Sequence, residues 1–463
     1  MDRTIYLTRR LRVAEAMREQ GGGIALVPTA PERVRNRDTH HPYRHDSYFF
    51  YLSGFGEPES WLVIDEGGRS TLFCRPKDLE RETWDGLRLG PEAAPGALGV
   101  DEAFPLELLD EYLPQLMANR RAVWFPFGVH EGLEQRVEGW LAAVRARERQ
   151  GQEAPRAMRD LCAVLDEMRV VKDEHELATM RRAAEISAAA HVRAMRASAR
   201  WLRGMDAGPW YEYHLEAELL HEFRRHGAQA PAYPSIVAAG ANACILHYPA
   251  GNAELRPGQL CLIDAGCELD GYASDITRTF PLDGRYTGPQ RELYDLVLAA
   301  QDAAVAATRP GARQRDAHHA AVRVLAQGML DTGLLDRDRH GSVDDVIETA
   351  AYRRFYMHGT GHWLGMDVHD VGSYQQDDEP PVEQPDGLGG RVVKKPSRIL
   401  QPGMVVTIEP GIYVRAAEDV PERYWNIGIR IEDDAVVTPG GCELITRGVP
   451  VRAEEIEALM REA

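Results

Sequence analysis

The pair Asp270-Gly271 sits between two β-prone runs in the stretch LIDAGCELDGYASDITRTF, Leu262 to Phe280. A type I′ turn needs two residues that tolerate positive φ, so this pair predicts a tight β-hairpin. With those two residues as the loop, Asp264 faces Thr277 across the ladder. Side chains alternate with period two, so Asp275 shares the face of Thr277 and becomes the diagonal neighbour of Asp264. Both carboxylates stand in strands built for burial: Asp264 follows Cys261, Leu262 and Ile263, and Asp275 precedes Ile276, Thr277 and Thr279. An unpaired carboxylate there costs on the order of several kcal/mol. Two of them must share a proton, take a basic side chain or hold a metal.

The chain has 463 residues, more than one ordinary core accommodates, which predicts two or three domains. The net charge of −18 argues against nucleic acid or an anionic membrane as the main partner. The N-terminus carries no apolar core of signal-peptide length, and no run approaches the ~18 apolar residues that span a bilayer, so a cytoplasmic location is expected. Six cysteines (74, 162, 244, 261, 267 and 442) form no Cys-x-x-Cys pair, which leaves zinc-ribbon and thioredoxin-like readings without support.

The first ~150 residues mix strands and helices at α/β spacing, with GGIALVPT, WLVID and RAVWFPF as buried strands. The Arg-, His- and Tyr-rich stretch RVRNRDTHHPYRHDSYFFYLSGF reads as a wet loop packed by its aromatics. RARERQGQEAPRAMRD is the linker candidate, giving domains over 1–160 and 173–463. Asp173 with Glu176 three residues on is a helix N-cap signature, and Leu177, Met180, Ala184 and His191 follow on one stripe. A comparable helix starts near Pro289, and ELATMRRAAEISAAA aligns without gaps on ELYDLVLAAQDAAVA, a weak sign of duplication. The Pro-, Gly- and charge-rich segment 375–398 reads as a surface insertion.

Further polar residues stand out downstream. Glu409 ends an apolar run in GMVVTIEPGIY. In NIGIRIEDD, Ile427, Ile429 and Ile431 alternate with Gly428, Arg430 and Glu432, which puts Arg430 and Glu432 on one face. Taken as a single strand, that face reads as a solvated Arg-Glu pair. Three histidines crowd MHGTGHWLGMDVHDVG, where the glycines exclude a regular helix and so exclude an i, i+4 zinc pair at His358 and His362. His247 sits in CILHYPAGN. Together Asp264, Asp275, His362, Glu409 and Glu432 would neutralise two divalent cations and leave a bridging hydroxide. Oxygen-rich ligation favours manganese, cobalt or zinc over copper. A metal pair of this kind activates water and polarises a carbonyl.

The blocks IDAGCELDGYASDITRTF, HGTGHWLGMDVHDVG, TIEPGIY and GIRIEDD resemble the pita-bread metallopeptidases, the family of methionine aminopeptidase, prolidase and aminopeptidase P. The aminopeptidase P branch is the nearest in likeness, which extends to RNRDTHHPYRHDSYFFYLSGFGEPE near the start and EEIEALM near the end. The resemblance implies an α/β creatinase-like N-terminal domain followed by an α+β pita-bread catalytic domain. It implies that Asp264 chelates one metal, Asp275 and Glu432 bridge both, and His362 and Glu409 complete the ligand set of the second metal. His247 and His369 fall where the family binds substrate and stabilises the transition state, and Glu409 can shuttle a proton. Arg430 falls where an arginine holds a metal-ligand carboxylate, and His358 and Tyr413 are expected to line the pocket.

The activity implied is hydrolysis of the bond between an N-terminal residue and a penultimate proline in peptides, with two divalent ions, manganese foremost. Proline lacks an N–H and has a fixed φ, so the site needs a pocket shaped for its ring. A prolidase that cleaves Xaa-Pro dipeptides would carry the same five ligands. A non-catalytic binding protein on this scaffold would typically have lost some of them. The resemblance also implies a homo-oligomer, a dimer or tetramer formed through the N-terminal domain, in which Trp84 could reach a neighbour's site.

Overall fold

The computed structural model describes residues 3–205, 208–249 and 251–463, and the chain divides into two compact units, one ending at Met168 and one running from Arg169 to Ala463. The first unit is built on a six-stranded mixed sheet. Its strands lie in the order Glu102–Pro105, Ser70–Cys74, Trp61–Asp65, Ile24–Pro28, Ala122–Phe125, Ala157–Asp160. The central strand, IALVP, is buried throughout, as a strand covered on both faces should be. Leu109, Leu113 and Met117 of one helix, and Val137, Trp140 and Leu141 of another, close its core.

Two features of this unit differ from the sequence reading. The stretch expected to be a wet loop contains the helix Ser47–Ser53, all of whose residues are buried. Asp46 caps it by accepting from the Phe49 amide at 2.8 Å, and Gly54 ends it in the left-handed conformation, φ 64°. Because the helix is apolar all round, no amphipathic period marks it. The expected linker instead supplies an edge strand, Ala157–Asp160, paired in parallel with Ala122–Phe125.

In the second unit the order of elements repeats. A long helix, Glu174–Leu202, packs on Glu212–Arg225, and three antiparallel strands follow: Ile236–Ala239, Leu260–Asp264 and Thr277–Pro281. Another long helix, Gly288–Ala307, packs on Gln314–Asp331, followed by the antiparallel strands Val405–Ile408, Asp433–Thr438 and Gly441–Leu444. The first of these helices opens with the expected capping box, the Glu176 amide donating to Asp173 at 2.9 Å and the Asp173 amide donating back to Glu176 at 3.0 Å. Leu177, Met180, Ala184 and His191 are buried along it. The 375–398 insertion carries an exposed hairpin, Val382–Pro385 with Arg391–Lys394. Among the described residues no helix is long and apolar enough to cross a membrane.

Candidate metal centre

The hairpin has the expected register. Asp270 (φ 49°) and Gly271 (φ 80°) form the turn, Leu269 pairs with Tyr272, and Asp264 pairs with Thr277. Between those pairs the chain stays in register through the Ala265 amide bonded to Ile276 and the Ser274 amide bonded to Cys267. Gly266 is needed there: a Cβ would stand 1.6 Å from the Ser274 carbonyl oxygen. Asp264 and Asp275 do converge, because the Tyr233 hydroxyl reaches both, at 2.6 Å from Asp264 and closer to Asp275.

The histidine strip runs beside the strand Val405–Ile408 like an added strand. The Thr407 amide donates to the His362 carbonyl at 3.0 Å, and the Glu409 amide donates to the Thr360 carbonyl at 2.8 Å. Such close approach requires Gly361, whose Cβ would lie 1.9 Å from the Thr407 carbonyl oxygen. His362 Nδ1 donates to the Trp363 carbonyl at 2.9 Å, which leaves Nε2 facing Asp275 (3.6 Å) and Glu409 (3.7 Å). Asp370, bonded to Arg169 at 2.6 Å and Lys172 at 3.0 Å in a buried cluster, fixes the turn that presents His369. The His369 ring stacks on His362 at 4.0 Å.

Arg430 and Glu432 arrive from the strand Ile427–Arg430 and the residues just after it. Glu432 Oε2 accepts from the Thr277 hydroxyl at 2.6 Å, and that hydroxyl accepts from Arg430 Nε at 3.1 Å. Arg430 Nη2 holds Asp264 at 2.6 Å, and its Nη1 donates to the Tyr413 hydroxyl at 3.0 Å. Tyr413 in turn meets His358 Nε2 at 2.8 Å, while His358 Nδ1 donates to the Gly359 carbonyl at 2.7 Å. Burial, with Arg430 nearby, pushes His358 down to about 3, so it is neutral and accepts from the tyrosine.

His247 rides on a loop anchored by buried Glu212. That carboxylate accepts from the Ala239 amide, the Asn242 side chain and the Tyr248 hydroxyl, each at 2.9 Å. The five expected ligands, with His247, His358, His369 and Arg430, line one cavity of about 660 Å³. Pro234, Ile236, Leu246, Pro249 and Val368 form its apolar wall.

The electrostatics favour a cation. Burial, followed by the neighbouring carboxylates, raises Asp275 and lifts Glu432 well above the usual range. Burial raises Glu409 to about 7. Burial opposes an imidazolium at His362, yet Asp275 and Glu409 outweigh it and bring it up to about 9. Every one of these shifts says that the cluster takes up positive charge. Donor atoms of Asp275, His362 and Glu432 lie within 4.8 Å of one another, close enough to share one ion. Four carboxylates and one imidazole suit hard or borderline divalent metals.

Two sequence expectations need correction. Arg430 and Glu432 do not face solvent; they are 4% and 2% exposed, because Thr277 and Asp264 cover that face. Tyr413 is not part of the cavity wall but stands behind it, between Arg430 and His358. Sequence reasoning also missed Tyr233, which lies between Pro231 and Pro234 with no periodic signal. The hydroxyl of Thr277 was legible only as a position opposite Asp264, with no hint of its hold on Glu432.

Comparison with known proteins identifies the family. Residues 178–439 match the family described as metallopeptidase family M24, and residues 6–124 match the aminopeptidase P N-terminal domain. The chain is 44% identical to the Xaa-Pro aminopeptidase of Escherichia coli, over 99% of this chain and 98% of that one. Its identity to the Haemophilus influenzae Xaa-Pro aminopeptidase is 42%, over 98% and 96% respectively. Among solved structures, Pseudomonas aeruginosa aminopeptidase PepP superposes with a TM-score of 0.89 at 45% identity, covering 98% of each chain. A variant of E. coli aminopeptidase P in complex with substrate superposes with a TM-score of 0.90 at 43% identity, covering 100% of this chain and 99% of that one.

Proposed function

The chain belongs to metallopeptidase family M24, with an α/β creatinase-like N-terminal domain and an α+β pita-bread catalytic domain, and from that premise we propose how it works as an Xaa-Pro aminopeptidase. It hydrolyses the bond between the N-terminal residue of a peptide and a penultimate proline. Asp264, Asp275, His362, Glu409 and Glu432 hold two divalent cations, manganese foremost, with cobalt or zinc as alternatives. The observation that carries this reading is the meeting of all five donors at one cavity, where Asp275, His362, Glu409 and Glu432 all have raised proton affinity. Bound there, divalent cations supply Lewis acidity that activates water and polarises the scissile carbonyl.

The protein's own groups do the rest. Glu409, held by its amide's bond to the Thr360 carbonyl, is placed to take a proton from water and return it to the leaving proline nitrogen. His247 and His369 project into the cavity without belonging to the ligand set, where each can donate to the carbonyl or its developing oxyanion. Arg430 holds Asp264 in place and is braced by Tyr413. The apolar wall of Pro234, Ile236 and Leu246 suits the pyrrolidine ring.

Peptides longer than a dipeptide fit this cavity better. A dipeptidase must neutralise the free carboxylate of proline, yet the lone Arg or Lys in the wall, Arg430, is committed to Asp264, Thr277 and Tyr413. Measuring kcat/KM for an Xaa-Pro dipeptide against an Xaa-Pro-Xaa tripeptide, with metal added and removed, tests the reading. We expect preference for the tripeptide and release of its first residue only; preference for the dipeptide would favour a prolidase. Six free cysteines support the cytoplasm as the working compartment. Leu79, Trp84 and Leu87, 83%, 81% and 87% exposed, support burial against another copy in a dimer or tetramer.

A further inference from the structure

A second cavity, of about 450 Å³, uses His358, Gly359 and Gly361 as a wall in common with the metal cavity. Its other walls come from the first turns of the helix Gln314–Asp331, the turn at Arg353 and the 375–398 insertion. Arg315, His318, Arg353, Lys394 and Lys395 all contribute to the lining, and no Asp or Glu does. In a chain of net charge −18, that composition runs against the average surface.

The local charges are only partly neutralised. Lys395 pairs with Asp377 at 3.0 Å, and adjacent Arg313 pairs with Glu379 at 2.9 Å. Arg315, Arg353 and Lys394, by contrast, have no carboxylate at ion-pair distance among the described residues, although each is half-buried, and Lys394 feels Asp386 only from farther off. Among the described residues the side chain of Arg353 bonds to the Met357 carbonyl, at 3.1 Å. The crowding of positive charge shows in the neighbours. Burial, with His319, Arg315 and Arg353 adding, pushes His318 down to about 4, and burial with Arg315 lowers Lys394.

We propose that this cavity binds a compact oxyanion, a carboxylate or phosphate-like group, held by Arg315, Arg353 and Lys394. Arginine forks and a lysine ammonium are the side chains suited to such groups. The position gives the occupant a bearing on the metal centre. His318 Nδ1 meets the Thr360 hydroxyl at 2.9 Å, and the Thr360 carbonyl accepts from the amide of Glu409 at 2.8 Å. The anion has two possible sources: the terminal carboxylate of a peptide whose start lies in the metal cavity, or a free anion. The first rests on the aminopeptidase reading; the second is independent of it.

Metal-loaded wild type and the R315Q/K394Q variant distinguish these sources, with K394Q alone, on the exposed hairpin, as the milder variant. Sulfate binding is measured by calorimetry. In parallel, kcat/KM is measured for an Xaa-Pro-Xaa tripeptide with a free C-terminus and for its C-terminal amide. We expect the double variant to bind sulfate about tenfold or more weakly, with unchanged metal content and unchanged kcat/KM for the amide. A wild-type preference for the free acid that disappears in the variant identifies the peptide carboxylate as occupant. Loss of sulfate binding with an unchanged acid-to-amide ratio identifies a free anion. Equal behaviour of wild type and variants in both measurements, including no sulfate binding by any of them, overturns the proposal.

Discussion

Replacing Thr277 with Val tests whether the ligand set is held by its surroundings or merely placed by the backbone. The Thr277 hydroxyl donates to Glu432 at 2.6 Å and accepts from Arg430 Nε at 3.1 Å, and the residue is fully buried in a strand. Valine keeps the shape and the β preference but can make neither bond. Arg430 still reaches Asp264 and Tyr413, so the damage is confined to the Glu432 carboxylate. A hydrogen bond to a charged group contributes ~1.5–3 kcal/mol. At about 1.4 kcal/mol per decade, T277V should weaken divalent-metal affinity ~10–100-fold, the usual range for partners of metal ligands. The metal-free variant should melt within about 4 °C of the metal-free wild type, since no cavity opens. Calorimetric titration with Mn²⁺ at fixed pH measures the first quantity and thermal denaturation the second. A variant affinity within twofold of wild type would refute the reasoning.

Other outcomes follow from the same geometry. In metal-free protein Glu409 rises from 4.5 to about 7 and His362 from 6.5 to about 9, so both bind protons more tightly folded than unfolded. Their contribution to stability is complete below the unfolded values and is lost as pH rises through about 7 and about 9. The metal-free melting temperature should therefore fall as pH is raised across that window, and saturating Mn²⁺ should reverse the trend; a flat metal-free profile counts against it. Asp275→Ala and Glu432→Ala should abolish activity and metal binding without lowering metal-free stability, because each removes a repelling carboxylate; wild-type metal content in either variant sinks the ligand assignment. His247→Ala and His369→Ala should lower kcat ~100-fold or more while leaving metal content intact; a parallel fall in metal content would make them ligands instead.

The parts of the site legible in the sequence are those set by local chemistry. Asp270-Gly271 dictates the turn, the turn dictates the register, and the register puts Asp264 beside Asp275. Asp173 with Glu176 announces a helix for the same reason: the capping partners are three residues apart. Period two sorted Arg430 and Glu432 onto one face but could not say what covers it, since in this unit both faces of the strand are covered. Tyr233 touches the two aspartates only because the chain folds back between two prolines, a tertiary contact without a local signature. The helix Ser47–Ser53 was hidden because a helix buried on every side has no polar face to reveal its period.

The hairpin also has a consequence for the order of assembly. Asp264 and Asp275 are joined by a short loop that closes rapidly, whereas Glu409 and Glu432 arrive by contacts far along the chain. A refolding chain is therefore expected to bring two like charges together before Arg430 and His362 arrive to balance them. At neutral pH that early step is uphill, and a lower pH or a divalent ion present during refolding removes the repulsion. An ion held by both aspartates would link the local hairpin to the late-arriving strands, so adding metal at the start of refolding should speed recovery of the native state more than adding it at the end.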